Sequence, residues 1–301
     1  MGTRGPRLNT LPLFLYGTGS DCDEQDKLTC AAIRQGYTAI DTGPTPAYRE
    51  ELTANGIETG LGHLSTTSAE HLFVQTKISP AGRYQTAESM PFTMMDTPQQ
   101  QVQKSFERSK IIFSSSGCII NALLLHAPFP NLSVTMEYWN AMEDLIKTDP
   151  NLEFLGICNT TLPTLQQVYQ NATIKPSIIQ NSFRAPSSYD RDIISFCRQN
   201  GMVYQAYGVL TSNPALLSSN LIGWFAETNH ISEAEALFVF VSAHGSGTVH
   251  ILQASRDEDH MAADLRCQRL VEKVDSVMIE AFRELLDELS SRSSPKHSWS
   301  Y

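Results

Sequence analysis

Eight short apolar runs recur along the chain, and this rhythm limits the possible folds more than any other feature. Each run is too short for a typical buried helix and is largely apolar, which is typical of strands covered on both faces. The runs are LFLYGT (13–18), YTAIDT (37–42), LFVQTK (72–77), INALLLH (120–126), EFLGICN (153–159), SIIQNSF (177–183), MVYQAYG (202–208) and VHILQAS (249–255). They predict strands of a parallel sheet, because parallel neighbours require long crossovers between them.

The segments between these runs have helical periodicity. Examples are DEQDKLTCAAIRQG, TPQQQVQKSFERSK, SVTMEYWNAMEDLIKT, TTLPTLQQVYQNA, DRDIISFCRQNG and SEAEALFVFVSAH. Several begin with Asp, Ser or Thr, and the first and fifth end at Gly, as helix caps prefer. Eight strand–helix alternations favour a closed (β/α)8 TIM barrel of the α/β class, and no GxGxxG motif follows the first run to support a Rossmann fold.

The barrel is expected to form one domain over residues 1–301, because a barrel of this kind accommodates a chain of this length. DSVMIEAFRELLDELSSR predicts an additional C-terminal helix, and a loose tail is expected from about residue 290 to 301. Two loops are unusually long, at residues 79–97 and 210–228, and both leave the C-terminal face of the barrel. Their apolar residues either line a pocket or pack on the barrel: Phe92, Met94, Met95, Leu216, Leu217, Trp224 and Phe225.

Charge and composition exclude several classes of function. A net charge of −10 argues against a general affinity for nucleic acid or anionic membranes. The sequence has no run of about 18 apolar residues that could span a membrane. It has no recognisable signal peptide, so a cytoplasmic protein is expected. The six cysteines are scattered without a CxxC motif and predict reduced thiols, and no ligand-type residues occur at metal-binding spacing.

Four proton-handling residues lie at or just after the ends of consecutive predicted strands. Asp41 ends the second run, Tyr48 follows in the loop AIDTGPTPAYREE, Lys77 ends the third run and His126 ends the fourth. In a barrel these positions share one face. We expect Lys77 to lower the pKa of Tyr48, Asp41 to hold Lys77, and His126 to orient a carbonyl group or share its proton.

These motifs resemble those of the aldo-keto reductases, and they look closest to a fungal-type branch with a longer, proline-bearing loop between Asp41 and Tyr48. The resemblance runs through LYGTG, AIDT…Y, LFVQTK, LLLHAP, LGICN, IIQNSF, VYQAYGVL and DEDHMAADL. It implies a catalytic tetrad of Asp41, Tyr48, Lys77 and His126, with hydride transfer from NADPH to a ketone or aldehyde and Tyr48 as the proton donor.

The same resemblance implies a set of cofactor-binding residues. Asn159 and Gln180 would bind the nicotinamide carboxamide, Tyr207 would stack under the ring, and Gly17 and Thr18 would lie on the floor beside Asp41. The adenosine 2′-phosphate would be held by the stretch after the eighth strand, through Ser255, Arg256 and His260.

The phosphate-binding stretch departs from the family pattern. Ala254 replaces the usual Lys and His260 replaces the usual Arg, while the acidic triplet Asp257, Glu258 and Asp259 lies between. Cys158 also stands where the family usually has Ser. NADPH is the expected cofactor, but its advantage over NADH is less secure than in a typical member.

Three functions remain open at this stage. The first is reduction of a bulky, largely hydrophobic carbonyl compound, such as an intermediate of fungal secondary metabolism. The second is a cofactor-independent isomerase or cyclase that uses Tyr48 and His126 as acid and base. The third is a non-catalytic barrel scaffold, against which the complete tetrad argues. The sequence predicts a small-molecule partner and leaves the oligomeric state open.

Overall fold

The structure is a computed structural model that describes residues 11–64, 72–81, 85–86 and 89–292. Eight parallel strands close into a barrel in sequential order, with the last strand paired to the first. The strands are β1 (Phe14–Gly17), β2 (Ala39–Asp41), β3 (Phe73–Ile78), β4 (Ala122–Leu125), β5 (Phe154–Cys158), β6 (Ile178–Ser182), β7 (Val203–Tyr207) and β8 (Val249–Gln253). Each predicted run overlaps one of these strands, and the predicted (β/α)8 TIM barrel is confirmed.

The helices cover the outside of the barrel and part of its C-terminal face. They are α1 (Gln25–Gln35), α2 (Glu50–Gly62), α3 (Pro98–Ser114), α4 (Leu132–Thr148), α5 (Leu162–Asn171), α6 (Arg191–Gln199), α7 (Pro214–Leu217), α8 (Asn220–Asn229), α9 (Glu233–His244), α10 (Glu258–Cys267) and α11 (Ser276–Arg292). Short 3₁₀ helices span Pro46–Tyr48, Ala185–Asp190 and Gln268–Lys273. In the described part of the chain, no helix is long and apolar enough to cross a membrane.

Local signals explain several helix boundaries. A reciprocal capping box joins Thr97 to Gln100 at the start of α3, and another joins Ser232 to Glu235 at the start of α9. Gly36 ends α1 with φ of 108°, a left-handed conformation that favours glycine. These boundaries follow the predicted patterns closely, because the stabilising contacts are made between neighbours in sequence.

Two expectations about the longer segments need correction. The stretch 210–228 is not a continuous loop, because it contains α7 and most of α8, whose first turn is capped by the Ser219 hydroxyl accepting from the Ile222 N–H. The C-terminal helix α11 is confirmed and ends at Arg292, as the predicted stretch does, but residues 290–292 of the expected tail are therefore helical. The rest of that tail, and residues 82–84 and 87–88 of the other long loop, lie outside the described residues.

The barrel has two apolar cores. The larger fills the space between the strands and the helices, and the smaller fills the inside of the barrel, with Leu15, Phe73, Leu124 and Ile178 among its members. Strands with apolar packing on both sides explain why the runs in the sequence are largely apolar. The inside of the barrel becomes polar towards the C-terminal ends of the strands, where the candidate site lies.

Candidate active site

Lys77 and Asp41 form a buried ion pair at the C-terminal end of the barrel. The Lys77 Nζ lies 2.8 Å from Oδ1 and 2.7 Å from Oδ2 of Asp41, and it also donates to the Thr42 carbonyl oxygen at 2.7 Å. These contacts use all three donors of the ammonium group. Burial opposes the charge on Lys77, but the Asp41 carboxylate beside it outweighs that effect, and the pKa of Lys77 is raised above its usual value.

Tyr48 is held at the end of a short 3₁₀ helix by the rigid corner that precedes it. Pro46 begins this helix, and the ring of Tyr48 packs between Gly43 and Gly19. A Cβ atom on Gly43 would lie 3.0 Å from Cδ2 of Tyr48, and one on Gly19 would lie 2.8 Å from Cε1. A side chain at position 19 would force the ring to shift, and one at position 43 would require it to move by a few tenths of an ångström.

The pKa of Tyr48 is shifted in the opposite direction from the one that the sequence predicts. Burial raises the pKa of Tyr48 to about 12; the nearby Lys77 ammonium lowers it, and Asp41 raises it again. Lys77 Nζ lies 4.4 Å from the centroid of the tyrosine ring. The expected lowering by Lys77 is present, but it is smaller than the effect of burial. Tyr48 is therefore a neutral phenol at physiological pH, the form that can donate a proton.

His126 faces Tyr48 across the same site. Their ring centroids are 5.9 Å apart with an interplanar angle of 67°. The Nδ1 atom of His126 lies 2.6 Å from the Oγ atom of buried Ser79, which fixes the orientation of the imidazole. A fixed ring directs its Nε2 atom consistently, as a residue that orients a substrate carbonyl requires.

The three residues expected to bind the nicotinamide lie beside this tetrad. The Tyr207 hydroxyl donates to Oδ1 of Asn159 at 2.6 Å, and Nδ2 of Asn159 donates to the His126 carbonyl oxygen at 2.8 Å. Asn159 adopts a left-handed backbone conformation, with φ of 53°. Gln180 donates from Nε2 to Oδ1 of Asp41 at 2.9 Å. Asn159 has a second Nδ2 hydrogen for a bound amide, whereas Gln180 uses both of its Nε2 hydrogens, on Asp41 and Gln205, and can offer a bound amide only its Oε1 atom.

The residues expected to bind phosphate lie around the start of α10. The Ser255 hydroxyl bonds with the backbone of Asp257, and Arg256 donates to the Ser20 carbonyl oxygen at 2.8 Å, joining the loops after β8 and β1. His260 lies on the first turn of α10, whose N-cap is Asp257. The basic groups are therefore present, but Arg256 is already engaged with the backbone.

Two carboxylates that the sequence did not single out lie near this end. Asp264 is 5% exposed, and burial followed by the charge of Glu235 raises its pKa to about 7. Glu235 accepts from the backbone N–H and hydroxyl of Ser232. Both residues line the cavity, and Asp264 adds its negative charge there only as the pH rises through about 7.

One cavity of about 760 Å³ connects the two ends of the site. It is lined by nine of the predicted site residues: Gly17, Asp41, Tyr48, His126, Asn159, Gln180, Tyr207, Ser255 and His260. Lys77 and Thr18 are buried next to Asp41, and Thr18 donates to the Thr42 hydroxyl oxygen at 3.1 Å. A cavity lined both by the amide side chains beside the tetrad and by His260 on α10 is suited to a ligand with an amide group and a phosphate group.

The apolar residues that the sequence analysis singled out in the two long loops do not line this cavity. Phe92, Leu216 and Phe225 are buried, and Met94, Met95 and Trp224 are largely exposed. Among the described residues, the apolar wall consists of others, including Val209, Leu210, Phe238 and Leu252. Of the two roles that the sequence left open for the loop residues, packing on the barrel applies to the three buried ones.

The fold and this site define the class of protein. Residues 14–250 match the model described as "Aldo/keto reductase family", and the chain belongs to that family. The family supports NAD(P)H-dependent reduction of a carbonyl compound.

The relatives agree with this assignment. The chain is 24% identical over 281 residues to glyoxal reductase of Bacillus subtilis, covering 93% of this chain and 87% of that protein. It is 23% identical over 269 residues to methylglyoxal reductase DkgB of Yersinia pestis, covering 87% and 88%. An aldo-keto reductase of Bombyx mori solved in complex with NADP has the same fold, with a TM-score of 0.73, 19% identity and coverage of 91% and 89%. The fungal-type branch stays a prediction.

Several residues at the site were missed by the sequence analysis. Ser79 bonds His126, and Gln75 and Gln205 contact the groups around Asp41. Strand alternation contained part of this signal, because Gln75 precedes Lys77 by two residues and Gln205 precedes Tyr207 by two, which places each pair on one face of its strand. No group of three or more His, Cys, Asp or Glu side chains within the described ranges could hold a metal ion.

Proposed function

We infer that this protein is an NADPH-dependent reductase of aldehydes or ketones. The observation that carries this inference is the placement of Tyr48, Lys77, Asp41 and His126 at one end of a cavity that continues to Ser255 and His260. The cavity, of about 760 Å³, is lined by polar groups that a dinucleotide can use, and its reactive end has a proton donor.

We assign a role to each of the four residues, and their positions support these assignments. Tyr48 is neutral at physiological pH and donates its proton to the carbonyl oxygen as that oxygen gains charge. The Lys77 ammonium, 4.4 Å from the ring centroid, stabilises the phenolate that remains. Asp41 keeps Lys77 charged, and His126 orients the carbonyl group.

NADPH, when bound, supplies the hydride. We assign its carboxamide to Asn159 and Gln180 and its nicotinamide ring to the face of Tyr207. Gly17 leaves room for the cofactor beside Leu252. A Cβ atom added at position 17 would lie 3.0 Å from Cδ1 of Leu252. Ser255, Arg256 and His260 are assigned to the 2′-phosphate, supported by their position around the start of α10 and by the affinity of helix N-termini for anions.

The proposed substrate is a bulky, largely apolar carbonyl compound. The apolar wall of Val209, Leu210, Phe238 and Leu252 supports this assignment. Turnover of a small dicarbonyl such as methylglyoxal, compared with that of a bulky aromatic ketone, tests it. A higher kcat/KM for methylglyoxal would instead place the chain with the reductases of small dicarbonyls that it resembles.

The reaction itself is tested with Tyr48→Phe. The variant should lose turnover by about 10²–10⁴-fold and bind dinucleotide almost as the wild type does, because only the proton is removed. Turnover above a tenth of the wild-type value, with chemistry rate-limiting, would remove Tyr48 from its role.

The cofactor assignment is tested by titration with NADPH and with NADH, followed by the fluorescence of the bound nicotinamide. A single good contact to the phosphate predicts at least about tenfold tighter binding of NADPH. Equal affinities would show that the phosphate subsite has lost its selectivity. Binding of neither dinucleotide would favour the isomerase or cyclase that uses Tyr48 and His126.

A further inference from the structure

A layer of three glutamines lies inside the barrel directly beneath the catalytic end. Gln75, Gln180 and Gln205 are 0%, 3% and 0% exposed. Gln75 on β3 is the direct partner of Asp41 on β2, and Gln180 on β6 is the direct partner of Gln205 on β7. The two pairs come from different parts of the barrel wall, and their side chains meet in its interior.

The hydrogen bonds of this layer converge on one oxygen of Asp41. The Nε2 atoms of Gln75 and Gln180 donate to Oδ1 of Asp41 at 2.6 and 2.9 Å. The same two nitrogen atoms donate to Oε1 of Gln205 at 2.8 and 2.9 Å. Each amide nitrogen therefore bridges Asp41 and Gln205, although Gln205 makes no direct bond to Asp41 itself.

The layer is complete within the described part of the chain. Gln205 Nε2 donates to Oε1 of Gln75 at 2.8 Å, and the Cys158 thiol donates to Oε1 of Gln180 at 3.6 Å. Every amide oxygen and nitrogen of the three glutamines thus has a partner. Buried amides are costly when they lack partners, and a barrel interior can be filled with apolar side chains instead. A fully bonded polar layer at this position therefore indicates a role that aliphatic packing does not provide.

We propose that Gln205, together with Gln75, is a positioning residue of the reductase that acts through Asp41. Oε1 of Gln205 fixes the amide groups of Gln75 and Gln180 so that their N–H donors point at Asp41. The carboxylate is then held in the rotation that gives Lys77 both of its oxygens, and Lys77 stays beside the ring of Tyr48. This inference rests on the proposed function, because its effect on turnover requires Tyr48 to be the proton donor.

The first test replaces Gln205→Met, which keeps the length of the side chain and removes its hydrogen bonds. We expect kcat for a probe aldehyde, 4-nitrobenzaldehyde, to fall roughly 10- to 100-fold, since donors to a charged group lose their alignment. Gln180, which we assign to the nicotinamide carboxamide, also loses a partner, so the Kd for NADPH is measured in parallel and should change less than kcat does. A kcat within twofold of the wild-type value would overturn the proposal.

Gln101→Met is the matched control for a buried glutamine outside the site. Gln101 lies on α3, is 7% exposed, donates to the Asp96 carbonyl oxygen and accepts from the Tyr138 hydroxyl. The Gln101→Met variant should lose stability as Gln205→Met does, but its kcat should stay at the wild-type value. An equal loss of kcat in both variants would assign the effect to general destabilisation and overturn the positioning role.

The second test replaces Gln205→Glu and measures kcat against pH. When protonated, the introduced carboxyl can accept the two amide bonds and donate to Gln75, as the glutamine does. Burial raises the pKa of a carboxyl group, so this form should persist above the usual range. Turnover should be close to that of the wild type at low pH and fall as the group ionises, which adds a limb to the profile. A profile that superimposes on that of the wild type would overturn the proposal, and this variant decides the question if Gln205→Met does not fold.

Tyr48→Phe, measured in parallel, separates the two levels of inference. An active Tyr48→Phe enzyme would overturn the proposed function and the positioning role together. An inactive Tyr48→Phe enzyme with normal Gln205 variants would overturn only the positioning role.

Discussion

The buried pair of Lys77 and Asp41 predicts a separation of stability from activity. Their side chains are 0% and 3% exposed, so water screens neither charge, and the shorter N–O distance is 2.7 Å. Breaking a buried pair by removing one partner costs about 3–5 kcal/mol, because the other charge is left uncompensated. Lys77→Met should therefore lower the free energy of unfolding by about 3–5 kcal/mol, and Asp41→Asn should lower it by a similar amount.

The double variant Lys77→Met/Asp41→Asn should recover much of this loss, since it leaves no buried charge at the pair. The remaining cost is mainly the Thr42 carbonyl oxygen, which loses the Lys77 donor and costs about 1–3 kcal/mol. Turnover should not recover, because the ammonium that stabilises the phenolate of Tyr48 is still missing. That loss is expected to be about 10²-fold or more.

Urea unfolding at pH 7, followed by circular dichroism, measures the stability of all four proteins in the cycle. Steady-state kinetics with NADPH and 4-nitrobenzaldehyde measures turnover. A double variant no more stable than the weaker single variant would contradict the charge-compensation argument. Recovery of turnover in the double variant would show that the ammonium is not required.

Three further results are expected. Gly19→Ala should lower kcat roughly tenfold or more, because its Cβ atom would lie 2.8 Å from Cε1 of Tyr48 and the ring would have to shift; unchanged kcat would mean that the position of the ring is not critical. Burial and Glu235 raise the pKa of Asp264 to about 7, so its contribution to stability is lost as pH rises from about 4 to 7. The free energy of unfolding of Asp264→Asn, relative to that of the wild type, should therefore be higher at pH 8 than at pH 4 by on the order of 3 kcal/mol. A relative stability that does not change with pH would contradict this. Burial lowers the pKa of His244 to about 4, so the protein loses stability as the pH falls from about 6.5 to 4. In His244→Leu this loss, measured by unfolding at a series of acid pH values, should be smaller by about 3 kcal/mol.

Much of the barrel was predictable because its signals are local. Apolar runs follow from strands buried on both faces, and capping residues such as Thr97 and Ser232 contact groups only three residues away. The helices within 210–228 were harder to predict. The apolar residues of this segment were compatible either with a loop that lines a pocket or with a helix that packs on the barrel. Leu216 and Phe225 are buried in the core between strands and helices, which decides for packing.

The sequence by itself determined which of the candidate site residues share the C-terminal face of the barrel. The C-terminal ends of parallel strands meet on one side of a barrel, so Asp41, Lys77 and His126 had to lie there once the strands were recognised. Only the tertiary structure decided the proton affinity of Tyr48, because burial and two opposite charges act on it together. Only the closed barrel revealed the glutamine layer, because Gln75 and Gln205 are 130 residues apart in sequence and their amides are 2.8 Å apart across its interior.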